Sequence, residues 1–221
     1  MTVAVNRDMI NRTVKFFERC GLFMRKFLSL PKEKQDRIVT SAMTLFGEVG
    51  YKKAYISEVA AAAGISKALV FHYFGSKKGL YSYLVYYTGK IVVTEAQEKR
   101  DTQNKDFFER ALVTLWFRLS IKSRYPAMSM FMDSVFNEDE DEVASDIERL
   151  LAIAADMHAK TTLESGEESI FKDGVDPAQV VRLVEVYSEG VVSGWHHSSS
   201  VDETVAEAAL CFDMLKSNLC R

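Results

Sequence analysis

The residues whose types and spacing could do chemistry lie mainly between Gly50 and Tyr81. Within this stretch a tight turn, Gly64-Ile65-Ser66, separates two short helical patterns, and aromatic residues and lysines follow the second one. A compact helix-turn-helix presents one helix to a surface about as wide as a DNA major groove, and its flanking cations lie where phosphates would be. DNA recognition is therefore the first hypothesis that the spacing raises.

Other kinds of chemistry find little support in the sequence. No nucleophile–base arrangement, phosphate-binding glycine loop or dinucleotide fingerprint is visible, so we expect no enzymatic activity and no cofactor. Adjacent His196 and His197 would point in different directions on a helix, and no cysteine or aspartate lies at a suitable spacing. The acidic run from Glu138 to Glu142 is interpreted as a solvated helix start. We therefore predict no metal site.

Composition indicates an all-α protein of one or two domains. The 221 residues are 48% apolar and 27% charged, with only three prolines, and the apolar residues mostly recur every three or four positions. No apolar run approaches the roughly 20 residues that span a bilayer, so no membrane partner is expected. Residues 1–30 lack the pattern of a secretory signal. Three distant cysteines favour reduced thiols in a cytoplasmic protein over a redox sensor.

The net charge of −3 hides an asymmetry between the two ends of the chain. Residues 1–81 carry 14 Lys/Arg and 6 Asp/Glu, a net of +8, whereas residues 82–221 carry 14 and 25, a net of −11. A basic first third is expected if only that part faces phosphates. Accidental clustering of solvated faces is the alternative.

Periodicity and capping residues place the helices. Ser66 is a predicted N-cap, Gly50 and Gly64 are predicted helix ends, and two further starts are marked by Asp176-Pro177 and by a capping box at Ser200. The predicted helices cover about residues 34–49, 56–63, 67–74, 77–100, 105–121, 125–136 and 142–160, followed by a loop over 161–175 and two closing helices.

Residues 34–81 resemble the N-terminal DNA-binding domain of the TetR family of bacterial transcriptional regulators. The resemblance is carried by Phe46, Gly50-Tyr51, Val59-Ala60, Ala63-Gly64-Ile65-Ser66, His72-Tyr73-Phe74, Ser76-Lys77 and Leu80-Tyr81. It implies an all-α fold with an N-terminal three-helix helix-turn-helix domain and a larger helical domain for ligand binding and dimerisation. The domain boundaries would be 1–30 for an extension, 31–78 for the DNA-binding domain and 79–221 for the rest.

Helical spacing places Val70 and Phe74 in the core of the small domain and leaves the other face outward. The resemblance implies that this outer face enters the major groove, and packing alone is the alternative for His72 and Tyr73. The predicted DNA-binding residues are Ser66, Lys67, Ala68, Leu69, His72, Tyr73, Lys77, Tyr55 and Lys53.

Several residues depart from the usual pattern of the family. Tyr55 stands where a threonine is common, so the second helix lacks its ordinary N-cap. Phe71 replaces a common tyrosine and has no hydroxyl donor. Lys78 and Gly79 replace glutamates, and a glycine inside a helix weakens it by up to about 1 kcal/mol. The departures put the set of DNA contacts in question rather than DNA binding itself.

The resemblance implies that the rest of the chain binds a hydrophobic small molecule and a second copy, although ordinary core packing explains the same periodicities. The predicted pocket consists of Tyr87, Trp116, Phe117, Met128, Phe131, Met132, Tyr187 and Trp195. The predicted dimer interface consists of Val180, Val184, Val191, Val205, Ala209 and Phe212.

The resemblance thus implies a homodimeric, ligand-responsive repressor of a palindromic operator. A transcriptional activator with the same fold, and a helical carrier or protein-interaction module that does not bind DNA, are the alternatives. Residues 1–23 are either an arm that contacts DNA through Arg7, Arg12 and Arg19 or a segment that packs through Phe16 and Phe17.

Overall fold

The computed structural model describes residues 21–99, 105–159, 163–164, 166–196 and 199–221. The predictions for residues 1–20 and for His197 lie outside these ranges. The described helices, in chain order, are α1 Gly21–Leu28, α2 Lys32–Lys53, α3 Ile56–Ala62, α4 Lys67–Phe74, α5 Lys77–Lys99, α6 Phe107–Arg124, α7 Pro126–Phe136, α8 Ala144–Ala159, a 3-10 turn Glu167–Ile170, α9 Pro177–Gly194 and α10 Val201–Leu219.

The structure confirms the predicted all-α class, since none of the described ranges contains a regular strand; a single antiparallel bridge joins Phe171 and Cys220. No described helix is long and apolar enough to cross a lipid bilayer. Helix α2 runs past its predicted end, because Gly50, with φ 75°, makes a kink after which one more helical turn leads to Lys53.

The chain divides into two compact units. Among the described residues, the head unit comprises those from 21 to 95 and from 126 to 153, and the tail unit comprises those from 96 to 125 and from 154 to 221. The head unit therefore contains the helix-turn-helix and also α7 and the first part of α8. The division of the sequence into domains at residues 30 and 78 remains a prediction.

In the head unit, α2 and α7 pack closely. A β-carbon on Gly47 would lie 2.8 Å from Met130 Cγ and 3.0 Å from the backbone of α7, so the two helices touch at this glycine. One turn away, Ser134 Oγ donates to the Phe46 carbonyl oxygen at 3.0 Å. The Phe46 ring also contacts Tyr81 of α5, at 5.1 Å between centroids. These contacts fix α2, the helix that precedes the helix-turn-helix motif, against α5 and α7.

In the tail unit, α6 packs against both α9 and α10. Helix α6 begins with a capping box at Asp106 and Glu109, and α10 begins with the predicted one at Ser200 and Glu203. Two clusters of buried side chains join the three helices. They contain Phe107, Phe108, Ala111, Phe171, Val180, Val184 and Phe212 in one case, and Leu115, Leu119, Trp195 and Ala208 in the other.

Candidate nucleic-acid interface

The turn between α3 and α4 has the geometry that the sequence predicts. Gly64 adopts φ 66°, a left-handed conformation that a glycine takes without steric cost. The Ile65 amide donates to the Ala60 carbonyl at 3.0 Å, and Arg37 Nε of α2 donates to the Ala63 carbonyl at 2.9 Å. The end of α3 is thus closed by its own turn and by the preceding helix.

The two helices of the motif begin differently. Ser66 Oγ accepts a hydrogen bond from the Leu69 amide at 3.2 Å, which confirms the predicted N-cap of α4. Tyr55 occupies the corresponding position of α3 without a side-chain capping bond, and its side chain is 66% exposed. The neighbouring Lys53 is exposed as well. The aromatic ring and the cation therefore lie free on the surface before α3.

The exposed face of α4 is formed by residues that are one turn apart. Val70 and Phe74 are buried, as predicted, and Leu69 is partly buried. Phe71 is 37% exposed, and the Lys67 ammonium lies 5.8 Å from the centre of its ring. We call the outward residues of this helix the recognition face; they are Lys67, Ala68, Phe71 and His72.

The position predicted for Tyr73 is wrong. Tyr73 is only 6% exposed, and its ring packs 6.2 Å from that of Phe27 in α1. Tyr73 follows Val70 by three residues and so shares its buried side, and α1 covers this side. Phe71 is a surface residue that was not predicted, although its position four residues after Lys67 was the available signal. A role of Tyr73 in DNA binding remains a prediction.

Lys77, the predicted phosphate ligand, contacts a backbone carbonyl and an aromatic ring of its own chain. Its ammonium donates to the Lys52 carbonyl oxygen at 3.1 Å and lies 4.6 Å from the centre of the Tyr51 ring. Burial lowers the pKa of Lys77 from its ordinary value, although the carboxylates of residues 138–142 oppose this effect. The contact with phosphate stays a prediction, and the structure shows that Lys77 also ties α5 to the end of α2.

The acidic run lies beside this same end of α2. Glu138 Oε2 accepts a hydrogen bond from the Tyr51 amide at 2.7 Å, and Glu140 Oε1 lies 2.8 Å from Lys52 Nζ. Burial, followed by a hydrogen bond to Glu142, raises the pKa of the Tyr51 hydroxyl. The side-chain oxygens of residues 138–140 lie within 4.8 Å of one another, a spacing that could hold a cation. Two of the three carboxylates already accept from protein donors.

The residues predicted to line a ligand pocket divide between the two units. Phe131 is fully buried and packs against Tyr81, at 5.2 Å between centroids, so it fills the core of the head unit. Trp195 is buried in the tail unit, and Tyr187 donates its hydroxyl to Cys211 Sγ at 3.2 Å. Trp116 donates to Asp202 at 2.9 Å. The head unit also contains Tyr87, Met128 and Met132, and the tail unit also contains Phe117. The pocket stays a prediction.

The predicted dimer interface needs a correction. Val180, Val184 and Phe212 are buried inside their own chain against α6, so the alternative of burial within one subunit applies to them. Val191, Val205 and Ala209 are partly buried. The exposed apolar residues of the same two helices lie on other sides of α9 and α10. We call them the apolar face: Leu183 (48% exposed), Val186 (61%), Leu210 (71%) and Met214 (61%).

Helices α2, α3 and α4, with the left-handed turn at Gly64, define a helix-turn-helix protein. Residues 38–84 match the family described as "Bacterial regulatory proteins, tetR family", which confirms the resemblance of residues 34–81. The HTH-type transcriptional regulator BetI of Vibrio vulnificus is 36% identical over 53 residues, which are 24% of this chain and 27% of BetI. The matched segment is thus about a quarter of that curated relative.

Solved structures extend the similarity to the fold of the larger part of the chain. A TetR family transcriptional regulator from Chloroflexus aurantiacus aligns with a TM-score of 0.63 at 16% identity, over 89% of this chain and 98% of that one. The regulator FadR from Bacillus subtilis, in complex with stearoyl-CoA, aligns with a TM-score of 0.55 at 16% identity, over 82% and 97%. The chain therefore has the fold of TetR-family regulators.

Proposed function

We propose that this protein is a transcriptional regulator that binds a palindromic DNA operator as a homodimer and acts as a repressor. The observation that carries this proposal is the recognition face of α4. Buried Val70 and Phe74 hold the helix in the head unit, Ser66 caps it, and Lys67, Ala68, Phe71 and His72 remain free to meet another surface. An exposed helix of this kind fits the width of a major groove.

The chemistry of the recognition face suits base edges. Lys67 can donate to the O6 and N7 acceptors of guanine, and the apolar Ala68 and Phe71 can pack against the methyl group of thymine. Because the Lys67 ammonium lies over the Phe71 ring, the cation and the ring form one continuous surface. We therefore expect a site in which a guanine and a thymine lie close together.

A selection from random DNA duplexes tests the proposal. The full chain should enrich a palindrome, and its affinity should fall as the salt concentration rises, because lysines displace counterions from phosphates. Lys67→Ala should relax the preference at a particular base pair and cost about 1–3 kcal/mol there. If no palindrome is enriched and binding shows no salt dependence, the protein is not a DNA-binding regulator, and a helical carrier or interaction module becomes the better hypothesis.

The partner proposed for the apolar face is a second copy of the chain. Four large apolar side chains, two on α9 and two on α10, are each about half or more exposed, and exposed apolar side chains one turn apart on a helix are typical of an interface. A palindromic operator requires two recognition helices related by two-fold symmetry, and an isologous interface supplies that symmetry. This assignment replaces the buried valines of the sequence prediction with outward residues of the same helices.

The effector is proposed to be a hydrophobic small molecule. Support comes from the FadR structure, which contains stearoyl-CoA. A near-complete switch requires the effector to bind the state that does not bind DNA more tightly by about 5.5 kcal/mol. Mass spectrometry of small molecules that co-purify with the protein tests this part. Reporter transcription with and without the identified compound then distinguishes a repressor from an activator.

A further inference from the structure

The acidic run and the end of α2 meet through two direct contacts. Glu140 Oε1 lies 2.8 Å from the ammonium of Lys52, and Glu138 accepts a hydrogen bond from the backbone amide of Tyr51. Glu138 also accepts from the Glu140 amide at 3.3 Å, which holds the two carboxylates side by side. All of these residues belong to the head unit. The carboxylates are therefore placed beside the lysines of the head by its own packing.

Lys52 lies next to two lysines that are predicted to contact DNA. Lys53 follows it in the sequence, and Lys77 donates to its carbonyl oxygen. We call Lys52, Lys53 and Lys77 the cationic edge. The Lys52 side chain is 78% exposed although it is paired, so the same ammonium is accessible to a phosphate from solution.

We propose that residues 138–142 form an autoinhibitory acidic segment, in which the Glu140 carboxylate occupies Lys52 in place of a DNA phosphate. This inference rests on the proposed DNA-binding function and concerns the regulation of that same surface. In free protein Lys52 pairs with Glu140. On DNA it pairs with a phosphate, and the segment lowers the affinity below the value that the lysines alone would give.

The exposure of Lys52 makes such an exchange feasible, since its side chain is 78% exposed while that of Glu140 is 28% exposed. Water and salt screen an ion pair whose ammonium is exposed, so the pair is weak. A phosphate can therefore displace the carboxylate without disrupting the fold. Five consecutive acidic residues also place a negative field beside the cationic edge, and this field opposes the approach of a polyanion. The effect on DNA is general, since no base edge takes part.

Salt dependence gives the exchange a measurable signature. A lysine that neutralises a phosphate contributes about 0.9 to the slope of log affinity against log salt concentration. If Lys52 must first leave Glu140, the freed carboxylate takes up a cation from solution. That uptake cancels most of the counterion release at this phosphate. Loss of the Glu140 charge should then make the slope steeper.

The experiment compares Glu140→Gln with Asp141→Asn in the full-length protein, using the selected operator and an unrelated duplex. Asp141 is exposed and carries the same charge in the same run without the contact to Lys52. Glu140→Gln should bind both duplexes about twofold to fivefold more tightly at low salt and steepen the slope by up to about 0.9. Asp141→Asn should change both quantities much less. Thermal unfolding checks that each variant stays folded.

A second pair of variants tests whether Glu140 competes with phosphate for Lys52 or only stabilises the head unit. In the Lys52→Ala background, Glu140→Gln should no longer increase the affinity, and Glu140→Asp in the wild-type background should bind DNA as the wild type does. If Glu140→Gln weakens DNA binding, or if Asp141→Asn matches its gain, the autoinhibitory inference is wrong while the proposed function stands. If the wild-type protein shows no salt-dependent binding to any duplex, both are wrong.

Discussion

Gly79 lies directly against the carbonyl oxygen of Phe74: a β-carbon placed on Gly79 would come 2.1 Å from that oxygen. The sequence suggested only that a glycine near the start of α5 weakens the helix. The structure adds a steric reason for it, because the last turn of α4 passes over the first turn of α5. The Gly79 amide donates to Ser76 Oγ at 2.9 Å, which caps α5 at the same place.

We expect Gly79→Ala to destabilise the head unit despite the better helix propensity of alanine. The clash is with backbone atoms, which cannot rotate away, so the expected loss in the free energy of unfolding is about 1–3 kcal/mol. Lys78→Ala introduces the same residue one position earlier and should change stability by less than about 0.5 kcal/mol. Urea unfolding of the two variants makes the comparison. Equal stability of both would show that α4 and α5 have room to separate.

Phe71 and Tyr73 should respond in opposite ways to truncation. Phe71→Ala should weaken operator binding by about 1 kcal/mol and leave stability nearly unchanged, because the ring is exposed and can meet a thymine methyl group. Tyr73→Ala should destabilise the protein by about 3 kcal/mol or more, because the ring is buried against Phe27.

Operator binding and stability can be measured separately on the same variants. Replacement of thymine by uracil in the selected duplex should weaken the wild type and leave Phe71→Ala unchanged, since uracil lacks the methyl group. A Phe71→Ala protein that still distinguishes thymine from uracil would assign that contact to another residue. Tyr73→Phe keeps the buried ring and tests whether the hydroxyl takes part in DNA binding.

The sequence predicted those features that depend on residues close together in the chain. Ser66 caps α4 three residues later, and Ser200 with Glu203 forms the box that starts α10. The burial of Tyr73 was missed because it depends on Phe27, which lies in a segment without a match to the family pattern. A helical period shows which residues share a side. It does not show whether that side meets its own chain or a second one, as Val184 illustrates.

The apolar face predicts how the dimer can be broken. Val186→Glu and Leu210→Glu should each shift the protein toward the monomer, since a buried unpaired carboxylate in an interface is strongly unfavourable. Arg25→Glu changes an exposed residue of α1 in the head unit and makes a larger change in charge, so it serves as the control. Sedimentation velocity over a range of concentrations measures the shift. If both variants remain dimers, the second copy binds another surface.

The tail unit contains a buried ion pair whose loss should make stability depend less on pH. Arg110 donates to Glu167 through both terminal nitrogens, to Oε1 at 3.0 Å and to Oε2 at 2.5 Å, and the arginine side chain is almost fully buried. Burial by itself would raise the pKa of Glu167, but hydrogen bonds from Arg110 and from the Glu164 amide lower it below the ordinary value. The folded state therefore favours the charged carboxylate.

A lowered pKa in the folded state fixes the sign of the effect. The Glu167 carboxylate contributes stability above the unfolded pKa of about 4.3, and this contribution is lost as the pH falls through the lower folded pKa. Urea unfolding between neutral and acidic pH should show a smaller loss of stability for Glu167→Gln than for the wild type. Arg110→Ala should cost about 3–5 kcal/mol at neutral pH, because it leaves Glu167 without its cation. Identical pH profiles for the wild type and Glu167→Gln would show that the pair does not control acid unfolding.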